Sequence, residues 1–181
     1  SFVTATLVSG GNWLERPRPF PLVSVTAETL QSIRSIFAYG TLRHDDTSGA
    51  SWTKPFNEGM TSQIACVRGL SLYLQGFPIV LVPRDPNQPN EGVVGCVASA
   101  DPNCSLDEFS AKLQMADRIE GTPKEYRRGV VKAELKDGTE VLSFIYYKEP
   151  GQIHDLAGLK KTRVASGNYL RRGPSIPFQF Q

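Results

Sequence analysis

Apolar residues along this chain come in short runs, each cut off by glycine, proline or a polar cluster. The run 36–39, Ile-Phe-Ala-Tyr, leads directly into Gly40-Thr41-Leu42-Arg43. An unbroken apolar run ending at glycine predicts a buried strand that closes in a tight, glycine-permitted turn. Further strands are predicted over 64–74 (interrupted near Gly69), 79–82, 92–98, 126–135 and Glu140–Tyr147. Gly76-Phe77-Pro78 reads as a turn, and Asp137-Gly138 as a hairpin signal between the last two strands.

Helical spacing is clearest after residue 104. Ser105-Leu-Asp-Glu108 is a capping box, and Leu106, Phe109, Leu113 and Ala116 share one face. Gly121 suits a left-handed cap and Pro123 a stop, so this helix should end around Ile119-Glu120. Shorter helices are expected at 26–34 with Thr26 as cap, within the polar loop 44–59, and around 153–161. Residues 1–21 carry Gly10-Gly11 and three prolines and read as irregular, and 83–90 as an exposed connection. The division that follows is an N-terminal extension over 1–35 and a domain over 36–181. Five or six short strands around one good helix make an α+β fold, a small curled sheet or barrel with flanking helices.

Composition narrows the partners. With 181 residues and 40% hydrophobic content, the chain can bury a core without disulfides or metal. A net charge of +2 gives no electrostatic case for nucleic acid or a membrane surface. The basic pairs at 127–128, 160–161 and 171–172 are scattered and read as solvated surface. Cys66, Cys96 and Cys104 are odd in number and form no C-x-x-C, which suggests neither disulfides nor zinc and fits a reducing, cytoplasmic setting. No run approaches the ~18 apolar residues of a membrane helix.

Two features carry candidate chemistry. In the predicted turn, the successive N–H groups of Gly40, Thr41 and Leu42 can converge on an anion or carbonyl oxygen; the alternative is a core strand with an ordinary loop. Glu120 sits where a helix ends, against the negative end of the dipole, with Asp117 one turn earlier. Both effects, with any burial, would raise its pKa toward the range of a general acid/base. The alternative is a solvated carboxylate paired with Arg118 or Arg127. Other candidates are weaker. Ser48 and Ser166 lack the flanks of a nucleophile elbow. His44 and His154 are lone histidines in polar loops, and Cys66 and Cys96 read as packed core thiols. No phosphate loop or dinucleotide fingerprint occurs.

The segment Phe37-Ala-Tyr-Gly-Thr-Leu-Arg43 resembles the Tyr-Gly-Ser/Thr-Leu signature of the gamma-glutamylcyclotransferase-like superfamily. Asp117-Arg-Ile-Glu-Gly-Thr-Pro-Lys-Glu-Tyr-Arg-Arg128 is similar to its Asp-x-x-Glu-Gly…Tyr-x-Arg segment. Ala165-Ser-Gly-Asn-Tyr-Leu-Arg-Arg172 looks like the Ser-Gly-Asp-aromatic element of some members, with Asn168 where those have Asp. The resemblance spans about 36–172 and points to the gamma-glutamylamine cyclotransferase and avirulence-induced-gene-like branch. It implies a compact β-barrel in which the Tyr-Gly-Thr-Leu turn faces the glutamate across a pocket. It also implies release of 5-oxoproline from a small gamma-glutamyl amine or amino acid, with no metal or organic cofactor. Glu120 would be the proton carrier, the Gly40–Leu42 amides would bind a carboxylate or oxyanion, and Tyr39 and Tyr126 would shape the wall. The competing expectation is a protein of the same fold that binds a small molecule or another partner without turnover.

Overall fold

A computed structural model describes residues 22–82, 92–172 and 177–180. The expected irregular stretch 1–21 and the connection 83–90 lie outside the described residues. Among the described residues there are seven strands: β1 Ser35–Ala38, β2 Met60–Arg68, β3 Leu72–Gln75, β4 Phe77–Val80, β5 Gly92–Ala100, β6 Arg127–Leu135 and β7 Glu140–Tyr147. The helices are α1 Ala27–Ser32, α2 Thr53–Asn57, α3 Leu106–Ile119 and α4 Leu156–Lys160. Five strands close a barrel in the order β1-β5-β2-β6-β7, and β3 and β4 form a separate ribbon. Closure requires β1 to run parallel to β7, through Ile36 and Phe144, and antiparallel to β5. The expected α+β barrel with flanking helices is the observed architecture.

Why β1 is apolar without alternation follows from its position. Ile36 and Ala38 join a cluster with Phe109 and Ala116 of α3, whereas Phe37 joins Val97, Val131 and Ile145 in a second cluster. A strand covered on both faces has no polar side to show. The Phe109 ring stacks on Phe144 of β7 at 6.3 Å, anchoring α3 to the barrel.

Helix α3 begins as its sequence requires. Ser105 Oγ accepts from the Glu108 N–H at 3.2 Å, and Glu108 Oε2 accepts from the Ser105 N–H at 2.6 Å. Gly121, at φ +62°, takes the left-handed position after the Glu120 cap. Ser105→Ala should lower stability by about 1 kcal/mol, seen as a fall in melting temperature of roughly 2–4 °C; an unchanged melt would mean that Glu108 alone holds the end.

Two boundaries differ from expectation. β2 starts at Met60 rather than 64, because residues 60–63 extend the pairing with β5 from Met60↔Ala100 onward. Burial alternates there, so no apolar run marks the strand. The second difference is the turn at 76–78. Gly76 alone, at φ +75°, makes the reversal, and Phe77 and Pro78 already pair in β4 with Gln75 and Leu74.

The segment before β1 is docked on the barrel. Leu22 bridges to Val131, the Val23 N–H donates to the Val130 carbonyl at 2.8 Å, and Thr26 Oγ1 caps α1 by accepting from Thr29.

Candidate active site

Between the end of β1, the β3–β4 ribbon and the C-terminus of α3 lies a cavity of about 460 Å³. That is within the range of ordinary small-molecule sites. Tyr39, Gly40, Thr41, Leu42, Glu120 and Tyr126 all line it. Residues separated by eighty positions therefore share one wall.

The turn after β1 is built from side chains that hold its carbonyls. The Arg43 N–H closes it on the Gly40 carbonyl at 3.0 Å. Thr53 Oγ1 donates to the Thr41 carbonyl at 2.6 Å, and Asn57 Nδ2 to the Leu42 carbonyl at 2.9 Å. In a trans peptide the C=O and N–H point in opposite directions. With the Thr41 carbonyl turned toward α2, the Leu42 N–H faces away from that helix. Gly40 is not in a left-handed conformation. It is small because a Cβ there would stand 2.4 Å from Pro78 Cγ, so the reason for glycine is the approach of the β3–β4 ribbon.

Glu120 caps α3 and is half-buried, because it opens only toward the cavity. Burial pushes its carboxyl up to about 7, and the Lys148 ammonium acts in the opposite sense. Of the expected causes, burial is the one that acts, and repulsion from Asp117 is not among them. Asp117 turns to β6 and β7, where it pairs with Arg128 and accepts from the Tyr146 hydroxyl at 2.7 Å. Nor does Glu120 pair with Arg127, which meets Glu149 at 3.5 Å.

The two wall tyrosines are pinned. Tyr39 donates to the Tyr146 carbonyl at 2.7 Å, and Tyr126 to the Pro78 carbonyl at 2.8 Å. Burial raises both phenols well above their usual range, and the charge of Glu120 adds to this. Each hydroxyl has one proton. With that proton committed, the Tyr126 oxygen is left to accept from a ligand.

Several lining residues were not expected at the site: Trp52, Phe77, Tyr146, Lys148, Gln152 and His154. His154, expected as a surface histidine, is exposed and lies at this cavity.

A family model described as gamma-glutamyl cyclotransferase, AIG2-like, matches residues 36–171. The chain belongs to this family. Among solved structures, it is similar to an AIG2-like protein from Mus musculus, with TM-score 0.55 and 18% identity. That match covers 82% of this chain and 97% of the mouse chain. It is also similar to YkqA from Bacillus subtilis, with TM-score 0.47 and 18% identity, over 75% of this chain and 39% of that one. At 18% identity the likeness to the mouse protein is one of fold. No curated protein sequence matches the chain.

The C-terminal Ser-Gly-Asn turn supports the family's first motif from behind. Arg43, 2% exposed, donates from Nη1 to Asn168 Oδ1 at 3.0 Å and to the Val94 carbonyl at 3.3 Å. Its Nε and Nη2 form a two-pronged bridge to Asp45 at 2.8 and 2.7 Å. Asn168 is neutral, so the counter-charge comes from Asp45.

The remaining candidates stand apart from the cavity. Ser166 is buried and donates to the Arg171 carbonyl at 2.5 Å, and Ser48 Oγ bonds Asp46 at 2.5 Å. Cys66 and Cys96 are core thiols that burial pushes up to about 12 and about 11. His44, Asp45 and Cys96 are the described residues whose donor atoms cluster closely enough for a metal. Asp45 is already engaged by Arg43, and so high a thiol pKa disfavours the thiolate that a metal needs. Among the described residues, no helix is long and apolar enough to cross a membrane.

Proposed function

We propose that this protein is a cofactor-free cyclotransferase that releases 5-oxoproline from a small gamma-glutamyl amine or gamma-glutamyl amino acid. The observation that carries the proposal is a half-buried carboxyl, raised to about 7, in the same cavity as the Tyr-Gly-Thr-Leu turn. A carboxyl with that pKa holds and gives up a proton near neutral pH with little driving force lost either way.

In this reading the Glu120 carboxylate takes a proton from the α-ammonium of the substrate. The freed amine attacks the γ-carbonyl carbon, forming the C–N bond of a five-membered ring. Negative charge gathers on the γ-oxygen, where the Gly40–Leu42 amides donate. As the intermediate collapses, the bond to the leaving amine breaks, Glu120 returns the proton to that nitrogen, and the carboxylate so regenerated takes the second proton from the ring nitrogen to leave the neutral lactam, passing it on to the departing amine. Nucleophile and electrophile belong to one molecule, so holding a single rotamer against Tyr39 and Tyr126 supplies much of the remaining acceleration. The Tyr126 oxygen, its hydroxyl hydrogen bonded to the Pro78 carbonyl, serves as an acceptor for the ammonium before transfer.

The test is to incubate the protein with a panel of gamma-glutamyl amines and amino acids and to assay 5-oxoproline by mass spectrometry. Release from at least one member, without added metal or cofactor, is the expected result. A protein that binds panel members and releases nothing would instead be a binding module of this fold.

A further inference from the structure

Glu120, Glu125 and Lys148 line the cavity, and only Glu120 has so far been given a role. Lys148 is the ammonium among them. Its backbone is fixed between strands: the N–H donates to the Val80 carbonyl and the carbonyl accepts from Val82, both at 2.9 Å. The side chain is 14% exposed, and Nζ lies 4.6 Å from the centre of the Tyr126 ring. Its ionic partner is Glu125, at 3.5 Å, and that carboxylate is 70% exposed. A long pair to an exposed partner contributes little. An ammonium has three donors to place, and this one keeps donor capacity beside the site. Lys148 is also close enough for its charge to act on Glu120.

A gamma-glutamyl head group carries an ammonium and a carboxylate on the same carbon. Glu120 and Lys148 match that pair in sign. Resting on the cyclotransferase reading, we propose that Lys148 receives the α-carboxylate of the substrate and so makes the enzyme specific for glutamyl groups with a free α-carboxylate. The Gly40–Leu42 amides are then left to the γ-carbonyl oxygen. Compounds whose α-carboxyl is amidated, esterified or in a peptide bond would face an ammonium with no anion to meet it. Lys148 is thus a specificity-determining residue.

The test compares two ligands by calorimetric titration of the intact protein, 5-oxoproline and 5-oxoprolinamide. They differ in carrying a carboxylate or a neutral amide at the position in question. Wild type should bind 5-oxoproline at least roughly tenfold more tightly, as one charge-assisted contact implies. Lys148→Met should erase the preference, and Lys148→Arg should retain most of it. Glu125→Gln, at an exposed position, removes a competing carboxylate; it should tighten 5-oxoproline about twofold and leave the amide unchanged. That variant, with the wild-type comparison, keeps the test decisive even if Lys148→Met fails to fold. Equal affinities in wild type, or a preference that survives Lys148→Met, would overturn the inference. If the preference appears and depends on Lys148 but no gamma-glutamyl compound is turned over, the head-group assignment stands and the cyclotransferase reading falls. If turnover occurs and Lys148→Met keeps the preference, the reverse holds.

Discussion

Glu120→Gln is expected to lower 5-oxoproline release by ~10²–10⁴-fold, the usual worth of a positioned proton carrier. Glutamine keeps the shape of the side chain and cannot carry the proton. In wild type, the rate should rise with pH through an apparent pKa of about 7, because the reaction begins from the carboxylate. The same substitution should stabilise the fold at high pH. An unfolded glutamate titrates near 4.5 and the folded Glu120 near 7. Below 4.5 both states hold the proton and the site costs nothing. Between 4.5 and 7 the unfolded state ionises while the folded one keeps its proton, so stability falls as pH rises through that window, and above 7 the loss levels off at about 3 kcal/mol. The neutral amide escapes that loss, so the variant should melt well above wild type at pH 8 and close to it at pH 4.5. A variant that keeps wild-type turnover would remove Glu120 from the mechanism; one that melts alike at both pH values would show its carboxyl to be well solvated.

Asp45→Ala is expected to be the most damaging substitution to stability among those considered. It strips the counter-charge from Arg43 and leaves a guanidinium that is 2% exposed with only the neutral acceptors Val94 and Asn168. Breaking a buried pair on one side typically costs ~3–5 kcal/mol, which for a chain of this size lowers the melting temperature by roughly 10 °C. Arg43→Met on top of Asp45→Ala should recover part of the loss, since the uncompensated charge is then gone. Arg43 held by its salt bridge keeps the Asp45 carboxyl below its ordinary value. The stability from this pair is therefore present above about pH 4 and is lost as pH falls through the lowered pKa. Because Arg43 directly follows the Gly40–Leu42 turn, the single variant should also raise KM. Additive losses in the double variant would mean that the two side chains do not depend on each other.

Much of the architecture could be read from local pattern. The capping box, the apolar stripe of α3, the Asp137-Gly138 hairpin and the unbroken run of β1 are set by neighbours within a few residues, and each is found at or near its expected place. The pairing of the Tyr-Gly-Thr-Leu turn with the helix-ending glutamate was legible only through the resemblance to a known family; in the structure both line one cavity. What sequence did not carry was the reason behind each. Gly40 looked like a residue needed for its backbone freedom; it is needed because Pro78, from a ribbon nearly forty residues later, leaves no room for a Cβ. Glu120 looked perturbed by Asp117 and the helix dipole, with burial an added effect of unknown size; its pKa is raised by enclosure. The polar stretch at the start of β2 had no strand signal because its pairing with β5 is backbone to backbone. Lys148 was invisible as a site residue until barrel closure brought the end of β7 against Tyr126. Local sequence determines which backbone shapes are cheap, and so it determined the elements and the two motifs. Desolvation and charge pairing depend on what lies within a few ångströms in space, and only the closed barrel decided that.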